Sequence, residues 1–385
     1  MSFKQYIFLS SILLLHISCG TNKEIEERSI VSALKPDSTI KYAKRFSIAY
    51  GDNLTVVYLF GKRPGFDTTS TFVIFKDSSA IINPTKKATL IRGSCMKIAA
   101  LSSIYASVFF ELGNLASLIA IDNADYINNP AILKKFEQGS LAELAKTPQI
   151  NLEKTLVLKP DIIFTFGMGE GEKDRDKKLE QTKIPVAISV DHLEETPLAR
   201  AEWIKFFAAF VGKREKADSI FKTVEKNYLD LKIIAQKTSS RPSVFNEIKY
   251  SDSWYMPGGK SYVAQLLKDA GANYLWQDNS DFGSLPLSFE QVYAKAKDAD
   301  YWINLSTLKS KKELLAFESR YSEFNAVKKG NLYNNTKTTN SKGYSNYWET
   351  GMIFPDRILS DLILIFHPEI KAELKNDLYY YEQIK

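Results

Sequence analysis

Asn151-Leu152-Glu153, running to Lys159-Pro160-Asp161 and the apolar run Ile162-Ile163-Phe164-Thr165-Phe166, has a counterpart about 140 residues further on. There Ser288-Phe289-Glu290 runs to Asp298-Ala299-Asp300 and then Tyr301-Trp302-Ile303-Asn304-Leu305. Each copy reads as a short helix with a glutamate in its first turn, then a turn, then a buried strand. A segment met twice predicts two similar lobes. Two lobes imply a cleft, and two matched acids imply a partner with two matched bases. The acid is kept while the turn behind it varies: Asp161 lies eight residues after Glu153, and Asp300 ten after Glu290.

The segments around each copy extend the plan. Strand-like runs at 96–101, 118–121, 162–166 and 186–190 alternate with helical stretches, including 139–145 and 152–158, so a mainly parallel sheet is expected. The second lobe has a strand over 243–248, a loop over 254–259, a helix over 261–270 closed by Gly271, and a final amphipathic helix over 355–365. Between the lobes, Thr196-Pro197 opens about forty residues of helix with a join at Gly212. Thr caps a helix well and Pro suits its first turn. No Gly/Ser run interrupts this stretch, which argues for a rigid rod rather than a flexible linker. Ahead of the lobes, β-rich runs at 46–50, 55–60 and 71–75 predict a small antiparallel extension of three strands.

The first 19 residues read as a targeting segment. Lys4 precedes an apolar stretch of ten residues, Tyr6 to Leu15, too short for a helix across a bilayer about 30 Å thick. Ser18 before Cys19 resembles a bacterial lipoprotein signal, in which the cysteine is lipidated; His16 departs from the aliphatic residue usual at that place. With Cys19 carrying lipid, Cys95 is alone and no structural disulfide is expected. The expected organisation is a signal over 1–19, a polar tether over 20–36, the β extension over 37–88, the N-terminal lobe over 89–195, the bridging helix over 196–238 and the C-terminal lobe over 239–385.

Composition narrows the function classes. Fifty-one basic and 45 acidic residues are mixed along the chain, with no block suited to a nucleic-acid arm. Gly259-Lys260-Ser261 looks like a phosphate loop, but the glycine required five residues before Gly259 is Trp254. Gly167-Met168-Gly169-Glu170-Gly171 fails the dinucleotide pattern at Glu172. Three histidines, one of them in the signal, cannot build a multi-histidine metal cage, and no metal site or cofactor is expected.

Ligands of open α/β sheets bind outside the carboxyl ends of the strands. The candidates there are Ser102, Ser103, Tyr105, Tyr126, Phe166, Met168, Trp254, Tyr255, Tyr344 and Trp348. Aromatic faces suit a large, ring-bearing ligand. His192 follows a strand end where it could reach that ligand.

Four segments carry a resemblance: 151–166, Glu194-Glu195-Thr196-Pro197-Leu198-Ala199-Arg200-Ala201-Glu202-Trp203, 254–261 and 288–303. Through them the chain after Cys19 resembles the helical-backbone (class III) substrate-binding proteins of ABC importers, the group that handles ferric siderophores, haem and cobalamin. The second and third segments look like a lipoprotein branch that carries an N-terminal β extension. The resemblance implies an α/β fold of two Rossmann-like lobes joined by a long kinked helix. It implies a non-enzymatic, monomeric receptor that faces the periplasm and is lipid-anchored to a membrane of a Gram-negative-type bacterium. Its implied partners are a permease dimer with its ATPase and a small-molecule metal complex or tetrapyrrole. It also implies that Glu153 and Glu290 dock onto arginines of the permease. Two other readings stay open: a tetrapyrrole metal chelatase using His192 or Glu349, and a surface lipoprotein that binds another protein.

Overall fold

A computed structural model describes residues 34–62, 67–76, 88–145, 150–374 and 376–385. The expected signal, the lipidated Cys19 and most of the tether lie outside the described residues. The first sheet holds four strands, β1 (Phe46–Tyr50), β2 (Leu54–Phe60), β3 (Thr68–Phe75) and β4 (Ala88–Arg92). The first three are antiparallel, and β4 joins β3 in parallel. The extension is therefore larger than the three expected strands, and it reaches past residue 88.

The N-terminal lobe contains β5 (Ile98–Ala100), α1 (Ser103–Glu111), β6 (Leu118–Ile121), α2 (Pro130–Glu137), β7 (Ala142–Glu143), α3 (Leu152–Leu158), β8 (Ile162–Phe166), α4 (Lys177–Gln181) and β9 (Val186–Ser189). Its sheet is wholly parallel, in the order β7-β6-β5-β8-β9. Residues 139–145, expected as helix, instead supply β7 at the sheet edge: Gly139 adopts φ +70 and ends α2, and Ala142 and Glu143 pair with Ala120 and Ile121.

Three helices link the lobes: α5 (Pro197–Ala201), α6 (Trp203–Val211) and α7 (Arg214–Gln236). The long rod is therefore segmented, and its longest piece, α7, about 35 Å at 1.5 Å per residue, spans the two cores. Gly212 makes the sharp join with φ +64, and a Cβ there would lie 3.0 Å from Ser94 Oγ. Ala217, Phe221 and Val224 of α7 pack in the N-terminal core, whereas Tyr228 and Ala235 pack in the C-terminal core. Every residue of α6 is buried. Its Phe206, Phe207 and Phe210 surround Phe164 of β8 at ring separations of 6.2, 5.2 and 5.2 Å. Phe46, Ile48, Val57 and Phe72 of the first sheet belong to the same core, so the extension shares its interior with the N-terminal lobe.

The C-terminal lobe follows with β10 (Ser243–Asn246), β11 (Lys249–Tyr250), β12 (Ser253–Pro257), α8 (Tyr262–Asp269), β13 (Asn273–Tyr274), β14 (Ser284–Leu287), α9 (Phe289–Ala296), β15 (Tyr301–Ile303), α10 (Lys311–Phe317), α11 (Asn325–Lys329), β16 (Leu332–Asn334), α12 (Asn346–Thr350) and α13 (Pro355–Phe366). Strands β13-β10-β15-β16 are parallel, and β17 (Glu382–Gln383) returns antiparallel to β16. The expected final amphipathic helix forms as α13, but it is buried on nearly every side and is not the last element.

The repeat keeps the role of its aspartate, with one donor exchanged. Asp161 Oδ2 accepts the N–H groups of Met96 and Lys97 at 2.8 and 2.9 Å, just before β5. Asp300 Oδ2 accepts the N–H and Oγ–H of Ser243 at 3.0 and 2.8 Å, at the start of β10. Each aspartate thus sets the register between the two central strands of its lobe.

Buried carboxylates fix the chain segments at both ends of this body. Glu202, fully buried, accepts the backbone N–H groups of Lys41, Tyr42 and Ala43 at 2.8–3.1 Å and an Nζ–H of Lys205 at 3.0 Å. Glu194 accepts those of Lys44 and Arg45 and the indole N–H of Trp203. On α13, Asp361 accepts the N–H groups of Tyr379, Tyr380 and Tyr381. A carboxylate holding several backbone donors satisfies groups that would otherwise be stranded.

Candidate ligand cleft and docking points

The carboxyl ends of the parallel strands in the two lobes carry the candidate ligand loops. Ser102 follows β5 and caps α1, its Oγ accepting the N–H of Ile104 at 3.3 Å; it and Ser103 are half-buried. Phe166 and Met168, at the end of β8, are 60% and 57% exposed. Such exposure is unusual for large apolar side chains grouped on one loop, and it leaves them free to touch a ligand. Tyr126, Tyr255, Tyr344 and Trp348 are likewise exposed.

Two expected ligand residues are elsewhere. Trp254 is fully buried, its ring 5.5 Å from Trp302 and 5.6 Å from Tyr321, with its indole N–H on the Asn246 carbonyl at 2.9 Å. Residues 253–257 form strand β12 rather than a loop, and side chains alternate along a strand. Trp254 therefore faces the core and Tyr255 faces out. Tyr105 is also buried, donating its hydroxyl to Asp191 Oδ1 at 3.1 Å.

Asp191, just after β9, is a hydrogen-bond hub. It accepts Ser189 Oγ–H at 2.8 Å and Arg200 Nε–H at 3.1 Å. The Arg200 guanidinium then lies 4.6 Å from the centroid of the Tyr262 ring, in the other lobe. His192, next to Asp191, is half-buried, and burial holds its imidazole below the ordinary range.

The lobes also touch at the rim. Tyr126 and Tyr344 meet edge to face at 4.6 Å. Asn340 Nδ2 donates to the carbonyls of Asp125 and Ile127 at 2.8 and 3.0 Å. Glu349, 1% exposed, accepts the backbone N–H groups of Asn128 and Asn129. That tether withdraws it from the role of free catalytic base. Beside the rim, a hollow of about 1230 Å³ includes Leu101, Asp122, Tyr126 and Phe166 in its lining; its described lining comes from the N-terminal lobe and the first sheet. Burial pushes the Asp122 carboxyl up to about 6.

Sequence reasoning missed Glu247, at the end of β10. Its backbone adopts φ +64, a conformation rare outside glycine, and burial pushes its carboxyl up to about 7. Ser251, in the turn between β11 and β12, and Asn304 and Ser306, after β15, also have positive φ. No residue pattern announces this; a positive φ at Glu or Ser is set by tertiary packing.

The two glutamates of the repeat occupy the same position in their helices. Glu153 is in the first turn of α3, capped by Asn151, and Glu290 is in the first turn of α9, where Ser288 and Gln291 form a capping box. Both are exposed. Each also favours its helix end, where the backbone dipole is positive.

Two α/β lobes, joined by a long helix and in contact through Tyr126, Tyr344, Asn340 and Glu349, define a two-lobed binding-protein architecture. The chain belongs to the periplasmic binding protein family, whose model matches residues 98–338. Both the family and the fold are those of binding proteins rather than enzymes. The chain is 30% identical over 241 residues to the uncharacterized lipoprotein MJ0878 of Methanocaldococcus jannaschii, covering 62% of this chain and 55% of that protein. It is 27% identical over 266 residues to lipoprotein MJ0872 of the same organism, covering 67% and 65%. The chain thus spans under two thirds of the length of either relative. Among solved structures, the haem-binding protein RhuT of Roseiflexus sp. RS-1 aligns with TM-score 0.53 and 17% identity, covering 72% of this chain and 99% of that one. The vitamin B12-binding protein BtuF of Vibrio cholerae aligns with TM-score 0.51 and 16% identity, covering 74% and 99%. At these identities the likeness is one of fold.

Proposed function

We infer that the chain is the lipid-anchored, extracytoplasmic substrate-binding component of an ABC importer. It captures a ferric siderophore, haem or cobalamin at the inter-lobe rim and delivers it to a permease dimer with its ATPase. The observation that carries this reading is the pair of exposed glutamates, one per lobe, at matching helix positions. Lipoprotein relatives and the Ser18-Cys19 signal support the anchor, and no described helix is long and apolar enough to cross a membrane. The exposed Phe166, Met168, Tyr255 and Trp348 support a large ring-bearing ligand.

The test is titration of the purified protein with haemin, cyanocobalamin and a ferric hydroxamate, followed by visible absorption and tryptophan fluorescence. Saturable 1:1 binding of one of them without turnover is the expected result. Failure to bind any of the three overturns the reading.

A further inference from the structure

The two docking points are not electrically equal. Glu153 makes no ion pair with any described residue. Glu290 is already occupied: Arg320 Nη1 lies 3.3 Å from its Oε1. Arg320 is itself parked. It donates to both carboxylate oxygens of Glu318 at 2.9 and 2.8 Å, and its guanidinium stacks 3.9 Å over the ring of Phe289, the residue before Glu290. Those Arg320 hydrogen bonds pull the Glu318 carboxyl down to about 2. Lys249 approaches Glu318 at 3.9 Å from the other side.

A guanidinium arriving from a partner meets a bare carboxylate at Glu153 and a compensated one at Glu290. We propose that Arg320 is a built-in competitor for the cationic group that docks on Glu290, so that the N-terminal lobe engages the permease first. Resting on the docking reading above, it adds an order of events to it. The exchange is reversible because Arg320 gives up only the 3.3 Å contact. Its Glu318 pair and its place on Phe289 remain. The partner surface it fits is one that presents an arginine to each lobe. The arginine facing the C-terminal lobe must be positioned well enough to displace an internal one.

The test is equilibrium binding of the full-length protein to its own permease–ATPase complex in nanodiscs, at stepped sodium chloride concentrations. Arg320 and Glu290 are both exposed, and unchanged melting temperatures will verify that the variants fold. Glu153→Ala is expected to weaken binding more than Glu290→Ala does. Arg320→Ala is expected to tighten binding roughly two- to fivefold, the range of an exposed ion pair. It will also steepen the salt dependence, because a bare charge is exposed where a compensated one stood. Glu318→Gln frees Arg320 to cling to Glu290 and is expected to weaken binding. The gain from Arg320→Ala should vanish in a Glu290→Ala background. Unchanged or weaker binding by Arg320→Ala, or a gain that survives without Glu290, overturns the competitor role while leaving docking intact. Undiminished binding by the Glu153→Arg, Glu290→Arg double variant overturns docking and the competitor role together.

Discussion

The carboxylate of Glu349, on the C-terminal lobe, accepts the backbone N–H of Asn129 in the N-terminal lobe at 3.2 Å, together with that of Asn128. These donors lie just before α2, so one side chain closes the lobe contact and completes a helix entry. Burial raises its carboxyl above the ordinary range, against the pull of the same hydrogen bonds. Glu349→Ala strands two backbone donors and is expected to cost roughly 1–3 kcal/mol. Hydrogen exchange will show faster exchange at Asn128 and Asn129; equal protection in the variant would remove Glu349 from the lobe contact.

Trp254 and Tyr255 are neighbours with opposite fates. Trp254→Ala empties a site ringed by Phe245, Trp302, Tyr321 and Phe324 and is expected to cost about 3–5 kcal/mol of stability. Tyr255→Ala is expected to leave the melting temperature unchanged and to weaken ligand binding several-fold. Chemical denaturation and ligand titration of both variants separate the roles, and a stable Trp254→Ala would contradict the packing.

Glu202 gathers three consecutive backbone donors and a lysine. Its removal leaves the Lys205 ammonium without its buried carboxylate, so Glu202→Ala is expected to cost roughly 3–5 kcal/mol. The segment over 41–45 should come loose first. Brief trypsin treatment should cleave at Lys41 and Lys44 in the variant and spare them in the natural chain. Equal resistance would show that the sheet holds the segment without Glu202.

Acidity should stabilise the fold. Burial raises Glu247 to about 7 and Asp361 to about 6. A carboxyl whose folded value lies above its unfolded one binds its proton more tightly when folded. Its contribution is complete below the unfolded value and fades as pH climbs through the folded one. Between pH 4.5 and 7 stability should therefore decline, and Glu247→Gln should flatten the decline by roughly 1–3 kcal/mol. Denaturant midpoints measured across that range decide it; a slope unchanged by Glu247→Gln would exclude this carboxyl.

Local chemistry made much of the fold legible. Thr196 capping α5 with Pro197 in its first turn, and Gly271 closing α8, act within a few residues of themselves, so the pattern carries the answer. What failed depended on distant partners. Residues 139–145 look like a helix until β6 recruits them as an edge strand. Residues 253–257 look like an aromatic loop until β14 pairs with them, and that pairing decides that Trp254 turns inward. Helix α13 is apolar on one face by its pattern, yet α7 and the returning chain cover the other. Phe166 and Met168 were visible as aromatic or apolar residues at the end of β8, and Tyr255, within β12, as an aromatic one. Glu247 was not, since nothing in its neighbours forecasts an unusual backbone angle.

The hold of Glu202 on residues 41–43 has a practical reach. A shortened protein designed from the family match alone would begin near residue 98. It would strip three amide donors from a carboxylate sealed inside the molecule, and take away the inner wall against which Phe206 and Phe210 rest. What remains would be a lobe with an open flank, inclined to aggregate. The smallest piece worth expressing begins no later than Leu34, because the segment over 41–43, ahead of the first strand, is part of the frame.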